Sequence, residues 1–184
     1  MSFIELSEIL GNWGEFIGSI AVVVTLIYLA IQVRQNTTTV KSSTHLVNTK
    51  NWNDIFLTYA EKDNVAAWSY GYTLDEQVDP STLIQFQLQC RVLFLNFENQ
   101  FYQYKNGTLD EETYQGYTRA ISTQVLAYPG FRVYWDLNKS VFGSDFVEHM
   151  SLLVAKTPEK EGSFLLKQWF QKVDEHKLLS DQTT

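Results

Sequence analysis

Hydrophobic positions recur along this chain in three ways, and the first is an unbroken run. From Phe16 to Val33 the sequence FIGSIAVVVTLIYLAIQV continues for 18 residues without a charge. A helix of that length rises about 27 Å, close to the roughly 30 Å of bilayer hydrocarbon, so the run predicts a transmembrane helix. A cleavable secretory signal needs a basic n-region, a shorter apolar stretch and a small-x-small cleavage site. Here Glu5, Glu8 and Glu15 precede the run without any Lys or Arg, and bulky or polar residues, Gln32 to Asn36, follow it.

The second pattern is a helix apolar on two faces. Between Pro80 and Lys105 the stripe Leu83, Phe86, Cys90, Phe94, Phe97, Phe101 and Tyr104 is joined by a second, Ile84, Leu88, Val92, Leu95 and Tyr102. Two such faces predict a central helix surrounded by others. Asp79-Pro80 supplies its start, an N-cap followed by proline at the first helical position, and Asn106-Gly107 its end.

The third pattern, one apolar stripe per helix, fills the rest. Trp52, Ile55, Phe56 and Tyr59 recur at helical spacing, and a short helix is expected over 65–72. Thr108-Leu-Asp-Glu111 reads as a capping box opening a helix through Tyr114, Tyr117, Ile121 and Leu126, until Pro129-Gly130 breaks it. Val133, Tyr134 and Leu137 mark another; Ser144 caps one with Phe146, Val147, Met150 and Leu153. Thr157-Pro158 opens the last, with Phe164, Leu165, Trp169, Phe170 and Val173 on one face. The polar stretch from Asn36 to Thr49 reads either as a continuation of the membrane helix or as a loop. The expected fold is therefore all-α: an N-terminal segment and transmembrane helix at 1–35, a cytoplasmic bundle of about five to six helices at 36–180, and a polar tail at 181–184 that frays.

Composition narrows the chemistry. Three prolines and nine glycines in 184 residues favour helices over sheets. Beyond residue 35 the chain keeps 13 Lys and Arg against 18 Asp and Glu, a net charge of −5 that argues against nucleic acid as a partner. A juxtamembrane cluster of basic residues, the mark of an anionic-lipid switch, is absent from the sequence. Arg34 and Lys41 follow the apolar run and no cation precedes it, so the positive-inside rule places the N-terminus outside and the larger domain in the cytoplasm. Trp13 suits an interfacial anchor. Cys90 is the one cysteine, which excludes an intrachain disulfide, and with His45, His149 and His176 it forms no zinc spacing. No metal or other cofactor is expected.

Within the apolar run the small and polar residues fall on one stripe: Gly11, Gly14, Gly18, Ala21, Thr25, Tyr28, Gln32 and Gln35, spaced alternately by three and four. Membrane helices associate through close backbone approach and interhelical hydrogen bonds, and such a face permits both. The partners expected are the bilayer, further copies of this chain through the stripe, and a second protein of unknown identity. Thr25, Gln32 and Gln35 are alternatively candidate pore-lining residues of a homo-oligomeric channel. Glu15 sits one residue before the run, where it reads either as a functional carboxylate at the edge of the span or, the favoured reading, as a terminal carboxylate that reaches interfacial water.

In the remainder, Arg91, Glu98 and Tyr102 share a face of the central helix, with Asn99 beside them and Arg132 as an expected ion-pair partner of Glu98. The five read as a structural polar network. Asp145 and His149 lie one helical turn apart, the spacing of a surface pair or of a single metal ion. No Glu-x-x-His pair, phosphate loop, dinucleotide fingerprint or Ser-His-Asp arrangement stands out, so no enzyme is expected.

The stretch from Gly14 to Thr37, GEFIGSIAVVVTLIYLAIQVRQNT, resembles the N-terminal signature of an uncharacterised family of small bacterial inner-membrane proteins. The segments FENQFYQYKNG at 97–107 and PGFRVYW at 129–135 are similar to further motifs of that family, with Ser19 standing where alanine is expected. The resemblance implies a bacterial inner-membrane protein with one N-terminal span and a helical cytoplasmic domain, and carries no activity. Two functions follow as expectations: a self-associating, membrane-anchored scaffold or sensing module, or an oligomeric channel.

Overall fold

The computed structural model describes residues 3–73, 77–162 and 164–181, which form seven α-helices and no strand. The all-α expectation holds. Helix α1 (Phe3–Tyr59) is a single helix of 57 residues, and from Gly11 onward it is long and apolar enough to cross a membrane, with none of the apolar window buried. The polar stretch after the apolar run is helix, not loop. Its hydroxyls donate to the helix's own carbonyls four residues back, Thr37 to Val33 at 2.9 Å, Thr38 to Arg34 at 3.1 Å and Thr39 to Gln35 at 3.0 Å. A hydroxyl satisfied in this way no longer competes for a loop conformation.

Contacts divide the chain between His45 and Leu46, further along than the expected boundary after residue 35. The reason lies in the end of α1, where Asn48 and Ile55 are buried in the domain that begins at Leu46. That domain contains the end of α1, then α2 (Lys62–Thr73), α3 (Pro80–Lys105), α4 (Glu111–Ile121), α5 (Pro129–Asn138), α6 (Ser144–Lys156) and α7 (Phe164–Asp181). A five-residue π-helical turn, Ser122–Leu126, follows α4, and a 3-10 turn, Lys139–Val141, follows α5.

Helix α3 begins and ends where the sequence places it. Asp79 accepts from the Ser81 and Thr82 amides, Pro80 takes the first turn, and Gly107 turns the chain at φ +72°. Those bonds hold the Asp79 carboxyl well below its ordinary range, the Ser81 and Thr82 hydroxyls contributing most. Only one of the two apolar faces of α3 is covered. Phe86, Cys90, Leu93, Phe94, Phe97 and Phe101 are buried, whereas Ile84, Leu88, Val92 and Leu95 are exposed, which corrects the expectation of a surrounded helix. Helices α2, α4 and α5 pack against the buried face.

Rings fill the space between them. Phe94 stacks on Tyr134 and Trp135, Phe97 meets Tyr114 and Phe146, and Phe131 lies against Trp68, Tyr72 and Phe86. Helices α2 and α5 cross at glycines, because a Cβ on Gly130 would come within 2.7 Å of the Gly71 backbone.

Three helix starts differ from expectation. Asp110, not Thr108, caps α4 through the Thr113 amide at 2.9 Å, since Thr108 instead donates to the Gln103 carbonyl. Gly143 occupies the N-cap of α6, with Ser144 already helical. Thr157 ends α6 instead of opening the last helix, and α7 begins only at Phe164, because the intervening segment runs across the domain with the Lys160 amide donating to the Ala127 carbonyl at 2.7 Å. Leu166, Trp169 and Phe170 on α7 are exposed; the side chain of Leu165 and residues 182–184 of the tail lie outside the described residues.

Candidate functional site

The end of α1 presents Trp52, Phe56 and Tyr59 at spacings of four and three, one helical face. Trp52 stacks on Phe56 with ring centroids 5.4 Å apart and on Tyr117 of α4 at 6.2 Å. Tyr59 lies 5.0 Å from Trp68 of α2, whose indole donates to the Tyr72 hydroxyl at 3.3 Å. These rings wall a cavity of about 510 Å³ whose floor is Leu93 and Phe97 of α3 and whose far side is Ala120, Ile121, Gln124 and Val125 of α4 and the π turn. Ligand pockets of a few hundred cubic ångströms, apolar with a few convergent polar groups, are the usual form of a small-molecule site. A π turn, a feature frequent at functional sites, supplies part of the wall.

The electrostatics of the cavity are those of a neutral site. Among the described residues no charged side chain lines it. Burial pushes the phenols of Tyr59, Tyr72 and Tyr117 above their ordinary range, so all three keep their protons at physiological pH. Tyr59 donates to the Gln89 carbonyl, which ties the end of α1 to α3, and the buried Asn48 makes a second tie by donating to Gln103 Oε1 at 2.6 Å. Trp52 Nε1, in contrast, is buried with no hydrogen-bond partner among the described residues. An indole N–H is a donor only, and leaving it unpaired away from water costs about 1–3 kcal/mol.

The polar network is placed as follows. Glu98 Oε1 accepts from the Gly143 amide at 2.7 Å, and a Cβ on Gly143 would meet the Tyr102 hydroxyl at 2.3 Å and Glu98 at 3.3 Å, so Glu98 and Tyr102 converge on the turn before α6. Arg91 lies over the Phe142 ring at 4.8 Å, on the same turn. Asn99 is exposed. Arg132 does not pair with Glu98. Its guanidinium donates to the Leu126 carbonyl at 2.6 Å and to the Thr157 carbonyl, because α5 points it toward the π turn and the end of α6. Asp145 and His149 are likewise separate: Asp145 pairs with Lys105 at 2.5 Å, and His149 Nε2 meets the Tyr114 hydroxyl at 2.7 Å. Cys90 is fully buried and its thiol pushed far up by desolvation, which leaves it inert.

On α1 the predicted stripe is open. A Cβ added at Gly11, Gly14 or Gly18 would meet nothing within 4 Å. Ala21, Thr25, Tyr28 and Gln35 are exposed and Gln32 is half-buried. The Thr25 hydroxyl donates to the Ala21 carbonyl at 2.8 Å, so its proton is already satisfied within the helix. A scan against protein-family models, a search of curated proteins and a search of solved structures give no match to this chain.

Residue spacing had marked Trp52, Phe56 and Tyr59 as an apolar face, but not as a cavity wall. The signal was the ring density: three aromatics within eight residues, with the small polar Thr49 before them and Asn53 among them also reaching the cavity.

Proposed function

We propose that this protein is a membrane-anchored module that self-associates through the small-residue face of α1 and displays the helical domain beginning at Leu46 for interaction or sensing. The observation that carries the proposal is the uncovered face at Gly11, Gly14 and Gly18, where a neighbouring backbone meets no side chain of the same chain. Lipid tails compete poorly with such a face, because close helix–helix contact gains dispersion that a bulky flank would block. The flanking charges and the family resemblance support a bacterial inner membrane with the N-terminus outside. Among the described residues the most developed feature of the domain is the aromatic cavity, which supports a binding role.

Native mass measurement and crosslinking in mild detergent test the proposal. An oligomer that Gly14→Leu and Gly18→Leu reduce to monomer is expected, and a wild-type chain found only as monomer overturns it. Ion flux through liposomes carrying the oligomer, lost on substitution of Gln32 or Gln35, would replace the scaffold with a channel.

A further inference from the structure

We infer that α7 is a lid that closes along the open cavity between the end of α1 and α4, seating Leu166, Trp169, Phe170 and Val173 in it. On α7 these four side chains share one face, with Gln168, Gln171 and Lys172 on the other. The face is bare: Leu166, Trp169 and Phe170 are 64, 65 and 62 % exposed, as fully as Ile17 and Leu26 of the apolar run at 61 and 60 %. A helix of 18 residues is marginal in water without tertiary packing, so α7 gains from any apolar surface it can reach. The cavity is within its reach. Upstream of α7 the chain is fixed at one end of that cavity, because the Lys160 amide donates to the Ala127 carbonyl and Gly162 lies against the Tyr72 carbonyl, which a Cβ would overlap. Tyr72 lines that end, its hydroxyl donating to the Gln124 carbonyl at 3.5 Å, and Tyr59 joins it there through Trp68. From Tyr59 the α1 wall runs back to Thr49, a rise of about 15 Å, and α7 rises about 13.5 Å from Phe164 to Val173. The surfaces agree in chemistry as well as length, since neither the cavity lining described nor the face of α7 from Leu166 to Val173 carries a charge. Asn53 and Phe56 on one rim, and Ala120 and Gln124 on the other, are exposed, which leaves the long side open to a helix. Closure needs no second copy of the chain, so the inference goes beyond self-association and stands or fails separately from it.

The test uses the full chain in lipid nanodiscs carrying Thr49→Cys and Val173→Cys, the pair that closure brings together at the far end, with a short bismaleimide as the probe. Cys90 is fully buried and stays out of the reaction. A bridge within one chain is expected, read as a single linker joining two peptides of a monomer in denaturing mass spectrometry. Thr49→Cys with Gln171→Cys, on the opposite face of α7, should bridge far less. Phe170→Asp on the lid and Ala120→Asp on the facing wall should each lower the bridged yield about fivefold or more, because closure would then bury a charge, whereas Gln168→Asp should leave it unchanged. Both residues are exposed, so circular dichroism should show the helical content retained, and Ala120→Asp leaves α7 itself untouched. No bridge, equal bridging from Val173 and Gln171, bridges only between two chains, or full yield in the folded Ala120→Asp variant would each overturn the inference.

Discussion

At Gly130 a single hydrogen atom in place of a side chain decides how α2 and α5 cross. The nearest backbone atom of Gly71 lies 2.7 Å from where a Cβ would sit, and backbone cannot swing aside as a flexible side chain does. Gly130→Ala should therefore destabilise the domain by about 1–3 kcal/mol in chemical denaturation. Gly116→Ala, where the only atom near the new Cβ is an arginine tip at 4.0 Å, should be neutral or stabilising by about 0.5–1 kcal/mol. His149 supplies a second residue-scale prediction. Burial lowers its pKa below the ordinary value near 6.5, while burial raises Tyr114 to about 12, so a neutral ring shares its hydrogen bond with a protonated phenol. The unfolded chain then binds a proton before the folded one does. Stability should be full above about pH 6.5 and fall as pH drops through the folded-state pKa, and His149→Gln should flatten that part of the denaturation-versus-pH curve. Asp79 and Asp145, both held low by their hydrogen bonds, act only at more acidic pH.

Helix α3 shows how far pattern reaches at the scale of an element. Its bounds, its cap and its terminating glycine follow from local chemistry, since Asp, Pro and Gly act through backbone groups within a turn. Which apolar stripe is covered is not local. Both stripes have helical spacing, yet α2, α4 and α5 pack on the one carrying the rings, whose larger apolar area gains more from burial. Phe94→Ala should cost about 3–5 kcal/mol, whereas Leu88→Gln on the exposed stripe should change stability by less than about 0.5 kcal/mol, both read by the denaturation midpoint. Thr157-Pro158 misleads for a related reason. A start signal binds only if a helix follows, and here the Thr157 carbonyl accepts from Arg132 and the Lys160 amide donates to the Ala127 carbonyl, which holds the segment extended.

At the scale of the whole molecule, among the described residues every residue of the hydrophobic core lies beyond Leu46, with Ile55 the earliest buried apolar residue. A fragment of residues 46–184 should fold in water without the preceding residues and keep the denaturation midpoint of the full chain, measured by circular dichroism. A lowered midpoint would show that the first unit contributes to the core. The sequence by itself determined the helical class, the apolar run, the small-residue stripe on α1 and the ends of α3, because periodicity and capping are written in residues close along the chain. Tertiary structure alone decided the separation of Arg132 from Glu98, the bare stripe on α3 and the cavity between the end of α1 and the π turn. These depend on the distances between helices, which are set by where rings and glycines from distant segments meet, and no spacing along the chain encodes a gap that side chains fail to fill.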